Sequence, residues 1–455
     1  MPSILTAQHH RRGILKSGAG LAAGLIIGGG AARRSVSAAA QSSIFAAGEG
    51  AVFVGTNHNN TTDAAEPANE IVMYRRAANG QLSMLGAFPT GGQGSGPGQR
   101  FAGDGLGSGN SLRLSTDNRW LFVANAGSDA VSVMEVLADG LRLASVTPTG
   151  DGSQGHRFPN SVTQHGDLVY VLNAADEGSI TGFRLSESGQ LTPIAGSTRT
   201  LDANQDRFAP DALANPTQVE FTPDGTKLVV TIKDGPAEGF VPDFTPTGPG
   251  RVLVWDVDAD GMPAANYVQT DFANRGPFGF SFSKDGHLLI GEFIGGGLEE
   301  IAGVETLGGA AGSYAIESDG SLTAISAGVP NHQIDTCWLV NNWRFAYGAN
   351  YTSGTVSSYA IGADGSLTLL HSVAGETERP ENAQGSTPLD ARISRDGRYL
   401  YVVLPGSGKV GGWAIADDGA LSKLGEYAGL PQTIDGDHAP FDFSALGSPA
   451  GIEAI

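Results

Sequence analysis

Hydrophobic positions along the chain fall in short runs rich in β-branched and aromatic residues, separated by Gly-containing turns. Residues 388–427 show the pattern most plainly. Pro388-Leu-Asp-Ala-Arg-Ile-Ser leads to Asp396-Gly397, and Arg398-Tyr-Leu-Tyr-Val-Val403 follows. After a Gly-Ser-Gly loop come Val410-Gly-Gly-Trp-Ala-Ile415, Asp418-Gly419 and Ala420-Leu-Ser-Lys-Leu-Gly-Glu-Tyr427. Each run alternates enough to read as a strand, and Asp-Gly supplies the positive φ that a tight hairpin turn needs. The stretch therefore predicts a four-stranded antiparallel meander.

The meander repeats. A large apolar or aromatic residue six positions before a turn Gly occurs seven times, at Tyr74/Gly80, Met134/Gly140, Phe183/Gly189, Trp255/Gly261, Tyr314/Gly320, Tyr359/Gly365 and Trp413/Gly419. The apolar run before it recurs in step, centred on Val54, Val123, Val171, Val230, Ile290, Gly348 and Val402, a spacing of about 58 residues. Two series in register over the whole chain indicate a repeat architecture. The first strand of the unit recurs at Asn110-Ser-Leu, Pro159-Asn-Ser, Pro216-Thr-Gln, Pro277-Phe-Gly, Ile334-Asp-Thr and Pro388-Leu-Asp, but the unit near Ala51 lacks one. The missing copy is Pro449-Ala-Gly-Ile-Glu-Ala-Ile455. The expected fold is all-β: a seven-bladed β-propeller of four-stranded antiparallel blades, its first blade closed by the C-terminal strand, which leaves few free sheet edges.

Residues 1–40 fall outside this pattern. His10-Arg11-Arg12-Gly13-Ile14-Leu15-Lys16, a Gly/Ala/Leu/Ile run to Ala32 and Ala38-Ala39-Ala40 read as a twin-arginine export signal. The run of about 16 residues, interrupted by Gly, is shorter than the roughly 20 needed to span a bilayer. Residues 41–455 form one propeller domain, expected to be periplasmic or extracellular, with no stable membrane insertion once the signal is cleaved. Without residues 1–40 the chain holds 22 Lys+Arg against 47 Asp+Glu, a net charge near −25, which disfavours nucleic acid and anionic membranes as partners. The single Cys337 allows no internal disulfide and reads as a buried thiol.

Turns between the first and second strands and between the third and fourth are tight and share one face. The connections 57–70, 86–109, 195–215, 232–250, 291–311, 373–387 and 428–448 are long and share the other. Long connections are where binding and catalysis concentrate. Side chains at or just before the inner-strand starts converge on that mouth: Asn110, His156, Arg157, Asn160, Gln218, Arg275, His332, Asp335 and Asp390. Hydrolysis of an ester-like ring needs such a set, with a base to activate water and donors aimed at the carbonyl oxygen. His156 with Arg157, and His332 with Asp335, each place a base beside a partner. The same residues could instead serve only to cap backbone groups and tie blades together. Asn125, Asn173 and Asn350, at the ends of second strands, read as turn supports. No spacing typical of a metal site or of a phosphate-binding loop is present, although scattered carboxylates leave calcium open.

The phrases Asn215-Pro-Thr-Gln-Val-Glu-Phe-Thr-Pro-Asp-Gly-Thr-Lys-Leu-Val-Val-Thr, Val169-Tyr-Val-Leu-Asn with Ile180-Thr-Gly-Phe, and Pro388–Val402 resemble the lactonase-like seven-bladed propeller family. That family includes propeller-type 6-phosphogluconolactonases and 3-carboxy-cis,cis-muconate lactonising enzymes. The resemblance implies His, Arg and Glu at the channel mouth, with a Pro-His step opening an inner strand. Here the step reads Pro159-Asn160, and Asn is no general base at neutral pH. The expected function is an exported, monomeric, cofactor-free lactonase opening a small sugar or carboxylated lactone. In it His156 or His332 activates water, Arg157 and Arg275 hold the substrate and oxyanion, and Asp335, Asn110, Asn160, Gln218 and Asp390 position or bind. The alternative is a non-catalytic propeller binding a polysaccharide, peptide or partner protein. The enzyme predicts His156, Arg157, Arg275 and Asp335 in one pocket; the binding platform predicts a broad or loop-plugged rim. A quinone or haem propeller is disfavoured, since no Cys-x-x-Cys-His motif is present.

Overall fold

Seven antiparallel sheets succeed one another along the chain, and each presents its first strand to a common axis. The computed structural model describes residues 44–60, 68–96, 104–150, 157–233, 250–301, 303–378, 386–433 and 447–455. The expected signal at 1–40 and His156 lie outside the described residues. Six blades run in chain order, and the third gains a short fifth strand, Arg199–Thr200, which pairs with Ser179–Ile180 beyond the end of Leu191–Pro193.

Blade 1 is completed by the last strand, Ala450–Ala454, laid antiparallel on Gly50–Gly55. The register pairs Val54 with Ile452 and Val52 with Ala454, and a bulge follows at Gly55/Ala450. Two further bonds hold this seam: Ile455 N–H donates to Ala51 O (2.9 Å), and the buried Arg76 guanidinium donates to Ile455 O (2.9 Å).

Apolar side chains are buried between blades, not within them. Leu112, Leu121 and Val123 of blade 2 pack on Phe53, Ile71 and Met73 of blade 1. Val219 and Val230 of blade 4 meet Tyr170 and Leu172 of blade 3. The same arrangement closes the circle, where Leu400 and Trp413 of blade 7 join Val54 and Ile452 of blade 1. The repeated Gly of the outer turn follows from this packing. Gly80 and Gly419 sit at φ +83° and +85°, and a Cβ at either would lie 2.4 Å from Tyr399 or 2.6 Å from Phe345 of the preceding blade. Hydroxyls of Tyr401 and Tyr347 then reach the carbonyls of those same glycines, at 2.7 and 3.0 Å. Left-handed backbone and close inter-blade approach thus both require Gly there.

Inner strands alternate, so every second side chain faces the channel. At one level the seven positions are Arg113, Thr163, Glu220, Ser281, Val340, Arg392 and Glu453, read from their common pairing with the second strands. Two Arg and two Glu balance. Arg113 pairs with Glu220 (2.6 Å) and Glu453 (3.9 Å), and Arg392 pairs with Glu453 (3.0 Å). Blades 2 and 4 are not neighbours, so the Arg113–Glu220 pair is a chord across the lumen.

Two expectations are corrected. Residues 291–311 are not a loop: Leu288–Ile301 and Val304–Ile316 form a long hairpin paired to Ile301/Val304. A register shift between Glu292 and Gly297 absorbs the glycines that suggest a loop, after which regular pairing resumes. Inner strands of blades 2, 6 and 7 start later than read, at Leu112, Thr336 and Ala391. Asn110 and Asp335 take left-handed φ of +58° and +61°, which interrupts extended pairing just upstream of two of them.

Replacing Ile452 by Ala should cost about 2–5 kcal/mol, the usual range for emptying a buried aliphatic site. Ile44, half exposed, should give less than about 0.5 kcal/mol for the same change. Denaturant midpoints at constant m-value check both, and equal small losses would show that the seam does not hold the ring.

Candidate functional site

The described end of the connection from blade 1 to blade 2 does not run around the rim. Its segment 104–110 crosses the channel mouth to blades 4, 5 and 6. There Asn215 Nδ2 donates to Leu106 O (2.9 Å), Gly109 N–H donates to Thr217 O (3.1 Å) and Trp338 Nε1 donates to Ser108 O (2.9 Å). Lys233, one residue past the second strand of blade 4, donates its ammonium to Gly107 O and lies 4.0 Å from the Phe278 ring centre.

Against this crossing is a cavity of about 30 Å³ lined by Asp104, Phe278, Phe293, Asp335, Cys337 and Tyr351, among others. One water needs roughly 10–15 Å³ measured this way, so the space suits one or two. Burial dominates the chemistry. It pushes the Asp335 carboxyl up to about 7, against the Thr352 hydroxyl that donates to it. It lowers the Lys233 ammonium to about 8, with Asp104 pulling the other way. Asp104 is raised by burial, opposed by Lys233 and by the Gly107 N–H it accepts at 2.7 Å. Burial also drives the Cys337 thiol well up, so it is no thiolate. The Tyr351 hydroxyl is buried and has no hydrogen-bond partner among the described residues. A base, an ammonium and an unused O–H donor are thus assembled from blades 4 and 6, beside an acid from the crossing segment.

The residues expected from sequence are spread over several environments. Arg157 binds Asp129 (3.1 Å) and lies 5.9 Å from the Phe208 ring centre, beside blades 2 and 3. Arg275 reaches Tyr314 Oη (3.2 Å) and Glu292 (3.6 Å) within blade 5. His332 and Asp335 are not a pair. His332 is exposed and hydrogen-bonds Glu299 of the long hairpin (2.6 Å), whereas Asp335 turns inward to Thr352. Both take φ +61°, so the backbone bends between them and parts their side chains.

Asn160 donates to Pro216 O of the next blade (2.8 Å). Gln218 bonds both backbone groups of Phe280, at 2.8 and 3.0 Å. Asn110 donates through Nδ2 to Glu220 (3.1 Å) and through its backbone N–H to Asp390 (3.2 Å), whose carboxyl burial pushes up to about 7 against Arg392. All four fasten inner strands across blade boundaries. Asn125 and Asn350 are likewise buried hubs: Asn125 accepts from Asn69 (2.9 Å) and Thr90 (2.8 Å), and Asn350 accepts from Asn331 (2.9 Å) and Thr336 (2.8 Å).

Sequence reading missed Lys233, Asp104 and Tyr351. Lys233 did carry a signal, a cation directly after the apolar strand Lys227–Ile232. Glu292 carried one too. It sits in the run Leu288-Leu-Ile-Gly-Glu-Phe-Ile, is fully buried, and accepts Tyr314 Oη–H at 2.5 Å. No cluster of three or more His, Cys, Asp or Glu with the geometry of a metal site occurs among the described residues.

Residues 302–436 match the family model described as Lactonase, 7-bladed beta-propeller. An uncharacterised protein of Staphylococcus aureus is 34% identical over 90 residues, which is 20% of this chain and 26% of that protein's length. The chain thus spans about a quarter of the curated relatives it matches. A candidate 6-phosphogluconolactonase from Bacteroides fragilis superimposes with a TM-score of 0.59 at 17% identity, covering 89% of this chain and 98% of that one. The periplasmic gluconolactonase of Pseudomonas aeruginosa gives 0.57 at 17% identity, covering 84% and 98%. These structural likenesses are of fold. Together with the family model and the seven blades, they uphold the resemblance to lactonase-type propellers.

Asp335→Asn should stabilise the fold in a pH-dependent way. A carboxyl raised to about 7 keeps its proton longer in the folded chain than in the unfolded one. The wild type therefore loses stability from about pH 4 up to 7 and is level above. Asn does not titrate and can still accept from Thr352. The unfolding free-energy advantage of the variant, read from denaturant midpoints, should widen over that range by about a few kcal/mol at most, since each pKa unit is worth about 1.4 kcal/mol. A gap independent of pH would mean that Asp335 titrates normally.

Proposed function

We propose that this propeller hydrolyses a small lactone at the long-connection mouth of its channel, through Asp335, Lys233 and Tyr351 and not through the His and Arg residues that the family resemblance suggests. The observation that carries the reading is a carboxyl near neutrality and an unpartnered hydroxyl lining one water-sized cavity, with a buried ammonium against its Phe278 wall, in a lactonase-type fold. In the reaction, ionised Asp335 takes a proton from water as its oxygen bonds to the lactone carbonyl carbon. Lys233 and Tyr351 stabilise the oxyanion. The acyl–oxygen bond of the ring then breaks, and the proton from Asp335 passes to the departing ring oxygen, giving the hydroxy acid. Residues 1–40 are part of the same proposal, as a twin-arginine signal that sends the enzyme out of the cytoplasm. Among the described residues no helix is long and apolar enough to cross a membrane.

A second reading, a binding propeller, draws on the segment 104–110 across the mouth and on a cavity of about 30 Å³, too small for a sugar ring without side-chain movement.

Catalysis through these groups requires Asp335 ionised and Lys233 charged. The kcat/KM profile should therefore rise through about pH 7 and fall through about pH 8. Asp335→Asn and Lys233→Met should each lower kcat/KM by about 100-fold or more, the usual scale for such groups. Lactone opening no faster than in buffer, across sugar and aromatic lactones at pH 7.5, would leave only the binding reading.

A further inference from the structure

We infer that the ribbon 297–308 is a movable cover for the buried cavity, hinged at its glycines and held down by the Glu299–His332 pair. The inference does not depend on lactone hydrolysis. It concerns how any ligand gains entry to the space beside Asp335 and Cys337.

The ribbon stands apart from its blade. The inner strand of blade 5 pairs with Leu288–Ile301 as far as Glu292, and the outer strand pairs with Val304–Ile316 as far as Ala310. Beyond those points, among the described strands, the two arms from Gly297 to Gly308 pair with each other alone. A two-stranded ribbon without a third strand is marginally stable by itself. Side-chain packing adds little. Leu298 is 65% exposed, Glu300 and Glu305 are exposed, and Leu307 is partly buried.

Its root is built to bend. Gly295-Gly-Gly297 faces Gly308-Gly309 where the register shifts, so neither strand carries a side chain at that level. The shift leaves 293–296 without ladder partners on Val304–Ile316, and Gly297 takes a left-handed φ of +79°. Just below, Phe293 and Ile294 are fixed by their N–H groups, which donate to Gly276 O (3.1 Å) and Arg275 O (3.3 Å). The pivot therefore lies at the glycines.

Clasp and cavity both connect to this pivot. Among the described residues, the Glu299–His332 bond (2.6 Å) is the side-chain hydrogen bond that ties the ribbon to blade 6. A Cβ at Gly308 would lie 2.6 Å from Glu299 Oε1, and one at Gly296 would lie 2.9 Å away, so the hinge glycines also make room for the clasp carboxylate. On the other side, Leu307 packs against the cluster that contains Phe278, Phe293 and Trp338, the rings that wall the cavity. The ribbon thus bears on the wall of a space of about 30 Å³, and lifting it frees that wall to give way.

Cys337 is the single cysteine and lines the cavity, so its labelling reports opening. Full-length protein is treated at one pH with 4,4′-dithiodipyridine, a neutral reagent larger than the cavity. Glu299→Ala and His332→Ala should each speed labelling about two- to fivefold, the scale of a partly exposed charge pair. The double variant should be no faster than either, because both remove one clasp. Replacing Leu298–Leu307 by Asn-Gly, a tight hairpin turn, should speed labelling more than either point variant does. All rates should respond weakly to low urea, since a local opening exposes little surface. Unchanged rates, effects that add in the double variant, or a urea response as steep as that of global unfolding would overturn the inference. Lactone turnover enters none of these readouts, so the hydrolytic reading stands or falls separately.

Discussion

The pairing of Ala450–Ala454 with Gly50–Gly55 is the constraint on which the molecule depends. No blade owns a core. Each apolar layer is made by two blades, and the layer between blades 7 and 1 exists only if the last strand has joined the first sheet. An open ring would expose one face of blade 7, one face of blade 1 and a free strand edge, three liabilities from a single lost ladder. Arg76 is spent on the same seam, since its buried guanidinium accompanies the final carbonyl.

Closure also sets the electrostatics. A ring brings seven inner strands within reach of one axis, so a charge on one strand must be answered by another strand, and the answer need not come from a neighbour. Arg113 finds Glu220 two blades away, and Arg392 finds Glu453 on the closing strand. Buried ions are costly unless paired and hydrogen-bonded, and Asn110 and Gln218 supply further bonds to the same Glu220 (3.1 and 3.0 Å). Toward the mouth the balance ends. Asp335 is left with a hydroxyl partner and no cation of its own, and its proton affinity rises accordingly.

Fold was legible in the sequence because it is written seven times. Asp-Gly turns, apolar runs and strand-opening prolines recur in step, and one missing strand points to the end of the chain. Local details were less legible where backbone conformation outweighed composition. Gly295-Gly-Gly297 suggests a loop, yet a register shift lets pairing continue past it. Asp335 looked like a strand residue beside His332, but its left-handed φ turns it to the interior. The candidate site was least legible, for a geometric reason. Asp104, Lys233, Asp335 and Tyr351 come from three separate quarters of the chain, and only the circle and the segment laid across it bring them together. The departure at Asn160 was visible, whereas its use as a tie to Pro216 O depends on the angle between two blades.

The chords between Arg113, Glu220, Arg392 and Glu453 have a further consequence. They lash blades 1, 2, 4 and 7 together from the inside, so a strand displaced in any one of them is felt by blades with which it shares no edge.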